Sequence, residues 1–236
     1  MKNDLLLDVG NSSITSAVWD GVSLVILDPI SHQSLEDYFR DCRDTYDRVF
    51  LASVVPSVTE KAVSILANCH VITYDHLSDL HVTSAFPDQI GIDRLMAALG
   101  AYCPQKSTLV IDSGTALTFC YTNANGGYEG GLIFPGMKIA SQSLADYTAK
   151  IPLIEVSPQS TIIGQTTKDA VEAGLYHGYI ALINGIIHQY RALDSSVSII
   201  GTGGGLEVLK DRLTIDAFDS DLVMKGILRY RQSLTP

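Results

Sequence analysis

The sequence predicts an α/β fold made of two duplicated halves. Three observations carry this. Residues 5–8 are a short apolar run that ends at Asp8, with Gly10 and small polar side chains behind it. Residues 109–118 repeat the pattern, so Asp8-x-Gly10-Asn11 aligns with Asp112-x-Gly114-Thr115, each after three apolar residues. Self-similarity of this kind marks a duplicated unit. The first third of the chain also alternates strand and helix signals, as α/β proteins do.

The elements follow in order. Residues 5–8 read as a strand. Residues 15–20 and 23–27 are two more, joined through Asp20 and Gly21, a hairpin signal. Ser34, with Glu36 and Asp37 behind it, reads as a helix start. Residues 48–53 form a buried strand closed by Pro56. Ser57 and Glu60 have capping-box spacing and open a helix to about Cys69. Residues 70–74 are strand and 75–90 loop, with Pro87 inside it. Apolar residues at 92, 95, 96 and 99 predict a helix that Gly91 opens and Pro104 closes.

The second half begins with residues 108–119 and a tight turn at 123–127. A strand over 129–136 and a helix over 138–147 follow, then a connector from Pro152 to Pro158. Residues 166–191 are the longest helical pattern. Ala170, Gly174 and Gly178 recur on one face of it. Each helical glycine costs about 1 kcal/mol against alanine, so the face implies a close contact. That contact is either the chain's own sheet or another subunit. Residues 197–200 are a last strand running into glycines at 201 and 203–205, which is either a plain turn or a nucleotide contact. A helix over 222–230 ends the chain. The halves meet near residue 103.

Composition sets bounds. The 236 residues are 46% hydrophobic and 18% charged, enough for a well-buried core. The net charge of −10 and the lack of Lys/Arg runs exclude nucleic acid as the main partner. No apolar run reaches membrane-span length, and the leucines before Asp8 are too few for a leader. Four scattered cysteines without a C-x-x-C pair fit a reduced cytoplasmic protein.

The repeated motif suits phosphate. A buried strand delivers a carboxylate to its C-terminal end, where open α/β sheets bind ligands. A carboxylate can hold Mg²⁺, glycine lets backbone approach a phosphate, and turn N–H groups form an anion site. Asn11, Ser12, Ser13 and Thr115 add donors. One such motif also fits an ordinary strand end; two in matching contexts point to a split phosphate cleft. Asp93 alone fits an acid at a helix start, Arg94 an exposed helix arginine, and Asp112 a strand-end acid.

Together these residues resemble the type III pantothenate kinases, within the superfamily of actin, the heat-shock chaperone ATPases and the sugar kinases. The resemblance runs nearly end to end. It rests on residues 8–12, 53–56, Gly91 to Arg94, 112–116, 130–136, Ile163-Gly164 with Thr167, and 201–204. It implies two actin-like (ribonuclease H-like) halves, 1–103 and 104–236, with an ATP cleft between them. It implies phosphorylation of pantothenate to 4′-phosphopantothenate, the first step of coenzyme A synthesis, by a cytoplasmic homodimer.

By the same resemblance Asp93 is the base. Ser84, Gly91, Ile92, Asp93, Arg94 and Thr167 contact pantothenate, Thr167 across the dimer interface. Asp8, Val9, Gly10, Asn11, Ser12, Ser13, Ile14, Thr15 and Thr115 hold ATP. Asp8 lies near Mg²⁺, directly or through water, and Asp112 binds a monovalent cation, K⁺ or NH₄⁺. The chain departs from the family at Ser84, where tyrosine stands three residues before the proline; Phe86 and Tyr74 are the nearby rings. Ser12 replaces a usual threonine and keeps the hydroxyl. Two rival readings stand beside this one: a non-catalytic nucleotide-binding regulator, and a kinase or phosphatase acting on a sugar, acetate or polyphosphate.

Overall fold

A buried six-residue strand lies inside each of two sheets. In a computed structural model, residues 3–43, 45–159 and 161–234 are described, the side chain of His32 excepted. The chain folds into two compact units. The first runs to Tyr102 and adds Gly126–Glu129 and the chain from Asp221 onward; the second holds Cys103–Asn125 and Gly130–Ser220. Compact units and sequence halves are therefore different divisions: residues 126–129 and 221–234 lie in the second half of the sequence but in the first unit.

In the first unit β1 (Asp4–Val9) turns back antiparallel into β2 (Ile14–Trp19), and β3 (Leu24–Ile26) completes the hairpin. Gly21 makes that second turn at φ +100°, where a side chain would be strained, and Asp20 accepts the N–H groups of Val22 and Ser23. Helix α1 (Leu35–Cys42) follows, then β4 (Arg48–Ser53), α2 (Pro56–Ile65) and β5 (Cys69–Val71). The sheet order is β3-β2-β1-β4-β5, with β1, β4 and β5 parallel.

Two starts differ from expectation. The Ser34 side chain makes no cap bond; Ser31 instead caps a 3-10 turn before α1. Helix α2 begins at Pro56, whose fixed φ suits the first helical position, so Ser57 lies inside the first turn and is no cap. The helix also stops at Ile65, short of Cys69, because Cys69 pairs with Val49 in the sheet.

Residues 75–90 contain more structure than a loop. A 3-10 turn covers Tyr74–His76, β6 covers His81–Val82 and a second 3-10 turn covers Pro87–Gln89. Helix α3 (Ile92–Ala101) then buries Ile92, Leu95, Met96 and Leu99, as their spacing requires.

In the second unit β7 (Thr108–Ser113) turns back antiparallel into β8 (Ala116–Thr122). Strand β9 (Gly127–Pro135) starts within the first unit's residues and continues in the second. Helices α4 (Met137–Tyr147) and α5 (Thr167–Leu193) follow, then β10 (Ser198–Thr202), the short α6 (Gly204–Glu207) and β11 (Ala217–Phe218). The sheet order here is β9-β8-β7-β10-β11, the counterpart of β3-β2-β1-β4-β5, with β10 parallel to β7 as β4 is to β1. The burial of β1 and β7 is identical position by position.

The 27 residues of α5 begin in a capping box, in which Thr166 Oγ1 accepts from Asp169 N while Asp169 accepts from Thr166 N. Ala173, Tyr176, Ile183 and Ile187 face the core. Ala170, Gly174 and Gly178 point outward, and a Cβ on Gly174 or Gly178 would meet nothing. Packing on the chain's own sheet does not explain that face. At the far end Asp194 accepts from Ser107 Oγ, Ser196 and Tyr121, which hold its carboxyl down at about 2.

Helix α7 (Leu222–Ser233) returns to the first unit and crosses α3. A Cβ on Gly100 would strike the Leu222 carbonyl, and one on Gly226 would strike Met96. From α7, Arg231 and, from β4, Arg48 both bond Asp4, which is 4% exposed. Burial would raise that carboxyl, yet the two arginines outweigh it and hold it below the ordinary carboxylate range. Replacing Gly226 by alanine should overpack the crossing and lower stability by about 1–3 kcal/mol, read as a shifted denaturant midpoint. The same change at Gly185, which has open space around it, should be far milder.

Candidate functional site

The first motif sits at the C-terminal end of β1. Asp8 is half-buried and pairs with Thr15 and Ala52 across the sheet. Gly10 N donates to Ser13 O at 3.0 Å and closes the turn, leaving Asn11, Ser12 and Ser13 exposed. Val9 and Ile14 are fully buried in the core, so their side chains serve packing and only their backbone faces the turn's chemistry.

The second unit repeats this. Asp112 is again the penultimate residue of its strand, half-buried, and pairs with Thr118 and Thr202. Gly114 N donates to Ala116 O at 2.9 Å, and Thr115 O accepts from Gly136 N at 3.0 Å. The glycines after β10 close on this motif. Gly203 lies at φ +87°, and a Cβ there would strike the Asp112 carboxylate and the Ser113 carbonyl. A Cβ on Gly205 would meet the Ser113 backbone at 2.8 Å. The glycine run is thus more than a plain turn: it forms a wall of bare backbone against Asp112 and Ser113.

Gly91 is the N-cap of α3. The Asp93 carboxylate folds back over the helix start, and Asp93 Oδ1 accepts from Arg94 N at 2.8 Å. A Cβ on Gly91 would run into that carboxylate, with Val54 Cγ1 at 3.6 Å behind it. With no Cβ at position 91, the carboxylate folds back into that space. Val54 N in turn donates to Val9 O at 3.1 Å. The ends of β1 and β4 and the start of α3 are thereby brought together within one unit.

A groove of about 880 Å³ opens beside them. Its walls are the end of β4 (Ser53, Val54), the outer face of α2 (Thr59, Glu60, Val63) and residues 88–92. It reaches Gly91 and Ile92; Asp93, Arg94 and Ser84 are outside its lining.

Ser84 Oγ accepts from Phe86 N at 3.1 Å. The Phe86 ring is 61% exposed. Asp75, then partial desolvation and Asp88, push the Tyr74 phenol up from its ordinary range. Thr167 opens α5 in the second unit, one residue after the cap. The sequence reading missed Tyr128, a fully buried tyrosine whose ring lies 6.0 Å from the Arg94 guanidinium. Its single polar atom within an apolar, glycine-flanked strand gave no signal of that contact.

Matched strand-end carboxylates, each followed by a glycine turn on the same strand order, define an α/β fold built from two like units. Solved structures share the fold. A Baf-family protein from Campylobacter jejuni aligns with TM-score 0.66 at 20% identity, covering 97% of this chain and 98% of that one. A 2-dehydro-3-deoxygalactonokinase-like protein from Sinorhizobium meliloti aligns with TM-score 0.62 at 14% identity, covering 98% and 99%. Sequence narrows the class. The chain belongs to the type III pantothenate kinase family, whose model matches residues 4–189. A type III pantothenate kinase of Flavobacterium johnsoniae is 34% identical over 97% of both chains. That of Syntrophotalea carbinolica is 31% identical over 94% of this chain and 96% of its own.

Gly203→Ala should lower stability by about 1–3 kcal/mol, since a left-handed φ and a clash with Asp112 act together. Gly204→Ala, with nothing near its Cβ position, should stay near wild type in the same urea titration.

Proposed function

We propose that this chain transfers the γ-phosphoryl group of ATP to the primary hydroxyl of pantothenate, with Asp93 as general base. The observation that carries the reading is the start of α3, where Gly91 leaves room for the Asp93 carboxylate beside Arg94. Phosphoryl transfer asks the protein for positioning and charge stabilisation more than covalent chemistry. Asp93 Oδ1 is engaged by Arg94 N, and Oδ2 accepts the hydroxyl proton. The freed oxygen attacks the γ-phosphorus, the bond to the β-phosphate bridge breaks, and ADP leaves.

The other residues take roles around this step. Gly91, Ile92, Arg94 and Ser84 contact the acceptor, Arg94 meeting its carboxylate as a planar donor fork. Residues 8–15 and Thr115 receive the nucleotide through turn N–H groups and hydroxyls. Among the described residues no three carboxylate, histidine or cysteine side chains cluster as a metal cage. A lone carboxylate such as Asp8 still fits Mg²⁺, which keeps several waters and is held largely by substrate phosphates. Asp112, beside the Ser113 carbonyl in the space that Gly203 leaves open, offers the oxygen donors that K⁺ or NH₄⁺ takes. When bound, these ions offset phosphate charge.

A homodimer belongs to this reading, with Thr167 serving the neighbouring subunit's acceptor. It is supported by the outward small-residue face of α5 and by Ile162 and Ile163, 75% and 74% exposed, on the segment before it. No described helix is long and apolar enough to cross a membrane. A cytoplasmic setting suits a protein using ATP.

Asp93→Asn keeps the side-chain shape and one hydrogen-bond acceptor but removes the base. Its kcat should fall by about 10²–10⁴, while ATP affinity by calorimetry stays near wild type. Near-normal turnover in this variant would contradict the assignment.

A further inference from the structure

We propose that Tyr128 is a positioning residue for the acceptor, fastening Arg94 with its ring and the Ser84 segment with its backbone. The inference rests on the reading of Arg94 and Ser84 as acceptor contacts.

Tyr128 is fully buried, and it belongs to the same compact unit as both partners. Its two ends do different work. The Arg94 guanidinium carbon lies 6.0 Å from the ring centroid. An aromatic face attracts a cation through its quadrupole, and more strongly when the ring is out of water. Arg94 is itself only half-buried. The ring narrows the rotamers open to the long Arg94 side chain, and a guanidinium set in place beforehand loses less freedom when the acceptor binds.

The backbone end holds the segment before Pro87. Strand β6 pairs in parallel with the start of β9, His81 with Gly127 and Val82 with Tyr128. Tyr128 O then accepts twice from Thr83, from N at 3.1 Å and from Oγ1 at 2.8 Å. The next residue is Ser84. One buried residue therefore fixes two acceptor contacts that are ten positions apart in sequence.

This arrangement is reinforced from behind. Gly126, at φ +82°, packs its backbone against the Asp79 carbonyl. Arg229 binds Asp79 Oδ2 and the Tyr102 carbonyl, each at 2.6 Å. The segment leading into β6 is thereby pinned at Asp79 as well as at Thr83. Asp79 anchors the start of the segment, Thr83 fixes the residue next to Ser84, and the ring supports Arg94.

The test is steady-state kinetics with pantothenate and ATP on wild type and four variants. Tyr128→Leu keeps apolar bulk and the carbonyl but loses the ring. Its KM for pantothenate should rise about tenfold, with the KM for ATP within about twofold and kcat within about threefold. Tyr128→Phe keeps the ring face and should match wild type in acceptor KM. Thr83→Val removes one bond at a surface position and should raise acceptor KM about twofold to threefold. Because Tyr128 acts through Arg94, adding Tyr128→Leu to Arg94→Gln should cost less than about twofold further.

A Tyr128→Leu acceptor KM within twofold of wild type overturns the inference. So does a parallel rise in both KM values, which marks a merely structural role. Should Tyr128→Leu fail to fold, an unchanged acceptor KM in Thr83→Val overturns it. Wild-type protein that forms no product overturns the proposed reaction itself, and the inference with it.

Discussion

The crossing of α3 and α7 is the constraint on which the first unit depends. Helix axes approach closely only where side chains are absent, and here glycine supplies the gap from both sides, at Gly100 and at Gly226. Helix α3 carries Gly91, Asp93 and Arg94 at or next to its start. Helix α7, the last element of the described chain, carries Arg229 and Arg231, which reach back to Asp79 and to Asp4. The close approach lets these long side chains bridge to the strand and loop beyond. Asp4 is buried at the foot of β1, and removing either arginine would leave a buried carboxylate less compensated, a costly state. Thus the end of the chain holds both the strand that delivers Asp8 and the helix that delivers Asp93.

Repetition explains the rest of the architecture. Strands β1 and β7 share length, burial and a carboxylate one residue before the end. Each pairs antiparallel on one side and parallel on the other. The units diverge in what lies over these strand ends. The first has the start of α3 and the groove beside it; the second has the glycine run 203–205 packed onto Asp112 and Ser113.

Much of this was legible in the sequence because the signals are local. The apolar runs before Asp8 and Asp112, the spacing at 92, 95, 96 and 99 and the Asp20-Gly21 turn all act over a few residues. The helical pattern read from Thr166 starts at the residue that caps α5. The misread starts have local causes as well: Pro56 outcompeted Ser57 as the opening residue of α2, and Ser31 did the capping expected of Ser34. What stayed hidden depends on long-range pairing. No pattern near Asp4 announces Arg231, 227 positions away. Nothing around Tyr128 marks it as the neighbour of Arg94. The outward turn of Gly174 and Gly178 was undecidable from spacing, because small residues recur alike on buried and exposed faces.

The most direct test is to incubate the purified protein with Mg-ATP, K⁺ and pantothenate, beside parallel reactions with a sugar, acetate and polyphosphate, and to identify products by mass spectrometry. Formation of 4′-phosphopantothenate alone, with equivalent ADP, is the outcome this account expects. ATP bound without any pantothenate product, or a phosphorylated product from another acceptor only, would contradict it.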